Sequence, residues 1–251
     1  MRNLRSQSLD SEGTPSAERG RPDNRQSWGL RHADRRAAVI LITAAFSMLV
    51  GRFGGRLRAP DMQPLQRMIS WAGTQMVAYL ILPTIVCLIF GIKLSEVGWS
   101  IKGLKAHWRP YAGLLFLALP AVVAVSFSAE FQVRYPLLRV SEGEQIDLAA
   151  MLIWWAFYAA QFVAVESFFR GFLVLGLAPI FGSNSVLIAM LPYLAIHFSK
   201  PPLEAVASII GALVMGVLVL RSKSFWLGVI VHIVVAATMD VSSLMQKGVQ
   251  W

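Results

Sequence analysis

Gln161-Phe-Val-Ala-Val-Glu-Ser-Phe-Phe-Arg-Gly-Phe-Leu173 sets a carboxylate and a guanidinium inside an otherwise apolar run. Glu166 and Arg170 stand four residues apart, which on a helix places them on one face within mutual reach. Alone in hydrocarbon, either charge would cost on the order of 2.5–3.5 kcal/mol, so such residues face a bundle interior or a polar cavity and mark a functional site by default. The plainer alternative is an ion pair that only locks one helix against its neighbours.

The rest of the chain makes hydrocarbon the right solvent to consider. Of its 251 residues, 56% are hydrophobic and 15% charged, with mean hydropathy +0.57, too apolar for an ordinary soluble domain. Apolar runs recur at about 37–53, 70–92, 110–129, 149–177, 183–198, 203–220 and 224–246. Most reach the ~20 residues that a spanning helix needs. They lack the alternation of barrel strands, so the pattern predicts an all-α polytopic transmembrane helix bundle of about seven spans over 37–251. The first run is short and ends in Gly51-Arg52-Phe53-Gly54-Gly55-Arg56, and the fifth is short and contains Pro192. These two are the weakest spans.

Residues 1–36 carry eight arginines and no apolar stretch, the composition of a disordered basic tail. With that tail inside, fourteen Lys and Arg fall on its side of the membrane and eight on the other, which predicts an integral multi-pass protein with a cytoplasmic N-terminus. The net charge of +9 lies mostly outside the apolar runs and speaks to orientation and lipid contact, with no nucleic-acid partner. One cysteine, Cys87, permits no intrachain disulfide and no thiolate metal cluster. Segment 95–109 mixes Trp99, Ile101, Leu104 and Trp108 with lysines, as an interfacial helix does. Trp71, Trp99, Trp108, Trp154, Trp155 and Trp226 lie near span ends and read as interfacial anchors. Ser208, Ala212 and Gly216 form a ridge of small residues for close helix packing.

Further polar residues lie in the later runs: His197 in the fifth, and His232 with Asp240 in the seventh, about two turns apart on one face. At ~1.5 Å per residue these groups and Glu166 fall roughly 12–24 Å into their spans, so three helices can converge on one polar pocket. His232, well inside its run, needs a partner, and Asp240 or Glu166 can supply one. A carboxylate in a dry pocket can act as base on water while imidazoles donate to an oxyanion, the pattern of amide hydrolysis. Two histidines and a glutamate (His197, His232, Glu166) are also a catalytic zinc set, although no His-Glu-x-x-His occurs to fix two ligands on one helix. Zinc and no metal at all both remain open.

Over about 145–246 the motifs resemble those of the CAAX prenyl endopeptidase and bacteriocin-processing family of intramembrane proteases. Glu166-Ser-Phe-Phe-Arg170-Gly-Phe-Leu173 is similar to its Glu-Glu-x-x-x-Arg helix, Tyr193-Leu-Ala-Ile-His197 to its Phe-x-x-x-His, and His232-Ile-Val-Val-Ala236 to its His-x-x-x-Asn. The resemblance implies an intramembrane endopeptidase that cuts a membrane-associated peptide or protein near the cytoplasmic leaflet. It implies Glu166, His197 and His232 as catalytic residues, with Arg170, Tyr193 and Asp240 in support. Two departures stand out: the family's first glutamate is Val165 here, and its asparagine is Ala236. They keep a second reading in play, a catalytically silent relative that binds membrane peptides or subunits. A solute or proton pathway fits less well, because the charges cluster in three helices and line no through-path.

Overall fold

The computed structural model describes residues 32–57, 61–138 and 147–248. All regular structure among them is helical. Eight helices follow in order: α1 (His32–Phe53), α2 (Pro64–Ile89), α3 (Leu104–Val125), α4 (Ala129–Arg134), α5 (Leu148–Phe181), α6 (Asn184–Ala195), α7 (Pro202–Ser222) and α8 (Trp226–Gln246). Six of them, all but α4 and α6, are long and apolar enough to cross a membrane, so the expected all-α bundle stands. The first run does form such a helix, starting at His32. The tail expected at 1–36 otherwise lies outside the described residues.

Local chemistry sets the boundaries. Pro64 and Pro202 open α2 and α7 at positions whose N–H would find no helical partner. Ser128 Oγ accepts from Phe131 N at 3.3 Å to start α4, and Asp147 Oδ1 accepts from Ala149 N (3.0 Å) and Ala150 N (3.2 Å) to start α5. The segment expected as one interfacial helix at 95–109 is instead a 3-10 turn, Leu94–Val97, followed by the first turns of α3. Gly98 (φ 86°) and Gly103 (φ 84°) break it, since the left-handed backbone there suits glycine. Of the tryptophans read as anchors, Trp108 is exposed, whereas Trp154 is fully buried and stacked on Tyr158 with centroids 4.7 Å apart.

Contacts sort the helix ends into two groups. At the end where α1 begins, Arg36 Nη1 meets Glu96 at 2.7 Å and Phe225 N donates to Gly98 O at 3.5 Å. At the opposite end Lys200 Nζ donates to the Tyr135 hydroxyl at 2.7 Å, and Lys247 Nζ to Gln132 O at 2.9 Å. The ridge of small residues works as expected: at Gly216 an added Cβ would lie 2.5 Å from Val186 Cγ1, so α6 and α7 meet there as only glycine allows.

Candidate active site

The middle of α5 is not an ordinary α-helix. From Ser167 to Leu175 it widens into a π-helix, and all nine of these residues are buried. Such widenings recur at functional sites because they re-aim side chains without ending the helix. Glu166 is the last residue before it and Arg170 lies within it; four residues fall just short of one wide turn, so the pair still shares a face. Gly171 permits the close approach of the Leu94–Val97 turn: an added Cβ would lie 2.5 Å from Val97 O.

Glu166 has no solvent exposure. Its Oε1 is 2.7 Å from His232 Nδ1 on α8 and 3.4 Å from Arg170 Nη1. Neither contact is aligned as a hydrogen bond, so Oε1 has charge partners but no well-directed donor, and Oε2 also lacks a hydrogen-bond partner. Gly228 makes room for the carboxylate, because an added Cβ would collide with Glu166 Oε2 and lie 2.9 Å from Met215 Cε. The Arg170 guanidinium lies 4.1 Å from the centre of the Tyr193 ring, a cation–π contact out of reach of water.

Tyr193 ties the groups together. Its hydroxyl is 3.0 Å from His232 Nε2, and its carbonyl oxygen is 2.8 Å from His197 Nδ1. A carbonyl only accepts, so His197 carries its proton on Nδ1, and in the neutral ring its Nε2 is a lone-pair acceptor. Phe162 stacks on the His232 imidazole with centroids 5.1 Å apart and planes at 10°, which fixes the ring.

A cavity of about 1170 Å³ adjoins this cluster, and Tyr193, His197, His232 and Val165 line it. Glu166 does not. Neighbouring residues on a helix point in different directions, so Val165 looks into the cavity while Glu166 turns away behind His232. The remaining lining comes from the end of α1, residues 62–79, residues 134–138, Tyr158, Gln161 and Phe162 of α5, and residues 195–200, with none from 94–104 or 222–228. The cavity therefore opens at the end of the bundle opposite the start of α1.

Of the residues singled out in the sequence, Glu166, Arg170, Tyr193, His197 and His232 come together. Asp240 does not join them. It is buried toward the cavity-mouth end of α8, where it accepts from Leu137 N and Trp155 Nε1, each at 3.3 Å. The partner of His232 is Glu166. Gly228 and Phe162, which shape the site, carried no charge or motif to mark them. As a zinc set, Glu166, His197 and His232 fit poorly: both His232 nitrogens are engaged, and no group of three His, Cys, Asp or Glu among the described residues is arranged to hold a metal.

Residues 147–238 match the family model described as type II CAAX prenyl endopeptidase, Rce1-like. The resemblance read over about 145–246 is thus borne out as a similarity over these residues. No curated protein and no solved structure matches the chain.

Proposed function

We propose that the chain is an intramembrane peptidase whose hydrolytic base is His232, oriented by Glu166. The observation that carries this reading is the order of groups from the interior outward: Arg170, Glu166, His232, cavity. A carboxylate with no solvent exposure cannot touch a cavity water, but its charge 2.7 Å from Nδ1 favours the proton on that nitrogen and leaves Nε2 as base. The same logic governs a carboxylate–histidine pair in serine hydrolases, where the acid sets tautomer and orientation and stays ionised. Glu166 thereby acts through His232, a different role from the direct base read from its sequence position.

In the reaction, a water enters between the imidazoles, with one hydrogen directed to His232 Nε2 and the other to His197 Nε2. His232 takes its proton as the water oxygen bonds to the scissile carbonyl carbon. The Tyr193 hydroxyl, released from Nε2, donates to the oxyanion that forms. The intermediate collapses with cleavage of the C–N bond, and His232 returns the proton to the leaving amine. Throughout, the Glu166 charge stabilises the imidazolium and Arg170 balances Glu166. His232 lies six residues from the start of α8, about 9 Å along it. With a cytoplasmic tail, the chemistry thus lies in the cytoplasmic half of the bilayer, while the substrate enters from the opposite side.

The silent reading has its own support, because Val165 faces the cavity where the family carries a glutamate, and no Asp or Glu is among the described lining residues. One panel separates the two. Protein in proteoliposomes is given membrane-embedded peptides, and cleavage is read by mass spectrometry. Wild type is expected to cleave, with His232→Ala and Glu166→Gln each lowering turnover by roughly 10²–10⁴. Cleavage that survives His232→Ala overturns the assignment. An inert wild type that gains turnover with Val165→Glu establishes the silent relative.

A further inference from the structure

Several polar side chains on the cavity wall are already engaged. Gln75 Nε2 donates to Gly51 O at 3.1 Å, Lys200 pairs with Glu204 at 3.0 Å, and the Tyr193 hydroxyl is held by His232. Gln161 differs. It lines the cavity, is only 4% exposed, and makes no hydrogen bond among the described residues. Neither of its amide atoms is sealed off, in contrast to both oxygens of Glu166. A buried carboxamide without partners is uncommon in folded proteins, and one that faces open space is available to a ligand.

Its position gives that ligand a direction. Tyr158, Gln161 and Val165 are spaced three and four residues apart on α5, so they share the face that lines the cavity, with Tyr158 nearest the mouth. The steps between them rise about 4.5 and about 6 Å along the helix. The Tyr158 hydroxyl also lacks a hydrogen bond among the described residues. Phe162, next after Gln161, stacks on the His232 ring, which puts the carboxamide within about one turn of the imidazole. An acyl chain laid on this row would displace water and leave a carboxamide and a hydroxyl unpaired. A peptide main chain does the reverse. Each of its amides presents one N–H and one C=O, and the carboxamide carries the matching acceptor and donors. At about 3.4 Å per residue, an extended strand covers the row with about three residues.

We propose that Gln161 is a substrate-binding residue, its carboxamide bonding the main chain of a peptide that lies extended along α5, about one or two residues to the mouth side of the bond that is cut. It rests on the proposed peptidase activity, which places a peptide in this cavity, and adds a contact that recognises the peptide whatever its side chains. The test uses the full-length protein in micelles, carrying Glu166→Gln to slow cleavage, since Glu166 does not line the cavity. Labelled peptides from the cleavage panel are titrated by fluorescence anisotropy, first intact and then with single main-chain amides replaced by esters, which removes one N–H at a time. Adding Gln161→Leu is expected to weaken binding about tenfold. One ester position should cost about as much when Gln161 is present and nothing further after Gln161→Leu, while the other positions cost the same in both. Thermal unfolding checks each variant, and Gln161→Met replaces Gln161→Leu if the latter does not fold. If neither folds, the scan with Gln161 present decides, and a cost spread evenly over the peptide overturns the proposal. Unchanged binding by Gln161→Leu overturns it too, as do ester costs that match at every position in both proteins, the result of a merely structural Gln161. Cleavage by wild type without this coupling removes the main-chain contact and leaves the peptidase standing. Coupling without wild-type cleavage supports the contact and removes the peptidase. If no peptide of the panel binds, both fall.

Discussion

Two polar clusters, one deep in this bundle and one at the mouth of the cavity, are built differently. At the mouth of the cavity, Glu204 accepts from the Tyr135 hydroxyl at 3.0 and 2.8 Å and pairs with Lys200 at 3.0 Å. Lys200 also donates to Tyr135, whose own carbonyl accepts from Ser243 Oγ and Lys247 Nζ, each at 2.6 Å. Burial lowers the Lys200 pKa from its usual value while Glu204 opposes that shift, and burial raises the Tyr135 phenol. Glu204, Lys200 and Lys247 each have an aligned hydrogen bond there, the arrangement that rigidifies a structure. Around Glu166 the charges balance but the hydrogen bonds do not close. A cluster held by charge alone keeps donors and acceptors in reserve for a reaction, whereas a closed network has spent them on the fold.

The contrast breaks if the two clusters respond alike to loss of a cation. Arg170→Met strands Glu166 in a sealed site and is expected to cost roughly 3–5 kcal/mol in unfolding experiments in micelles, most of it recovered by adding Glu166→Gln. Failure of that recovery would mean Arg170 matters for packing and not for charge. Gly228→Ala pushes a methyl into the Glu166 carboxylate and should cost about 1–3 kcal/mol and lower turnover together. An unchanged activity with reduced stability would separate the carboxylate's position from the chemistry. Smallest is Lys200→Met, where the partly exposed pair and the remaining Tyr135 hydroxyl leave a loss of no more than about 1 kcal/mol. A larger loss would show that the mouth cluster also depends on charge.

Much of this site was legible because charge in hydrocarbon demands an explanation. Glu166, Arg170 and His232 stood out against their runs, and order along the chain linked them to Tyr193 and His197. The π-widening at 167–175 left no trace in residue periodicity, since it is a shift of backbone hydrogen bonds. Asp240 looked like a partner for His232 by helical spacing alone. Its partners, Leu137 N and Trp155 Nε1, come from segments 103 and 85 residues away in sequence, respectively, which no local pattern reveals.

The brevity of α6 has a consequence for the surrounding bilayer. Twelve residues extend ~18 Å, well short of a ~30 Å hydrocarbon layer, and the non-helical stretch 196–201 completes the passage beside the cavity. Lipids next to this helix meet a protein wall shorter than they are, and the mismatch draws the leaflet inward at a cost that grows with each ångström of membrane thickness. The protein is therefore expected to be more stable in thin than in thick bilayers, which unfolding measured in lipids of graded acyl-chain length would check.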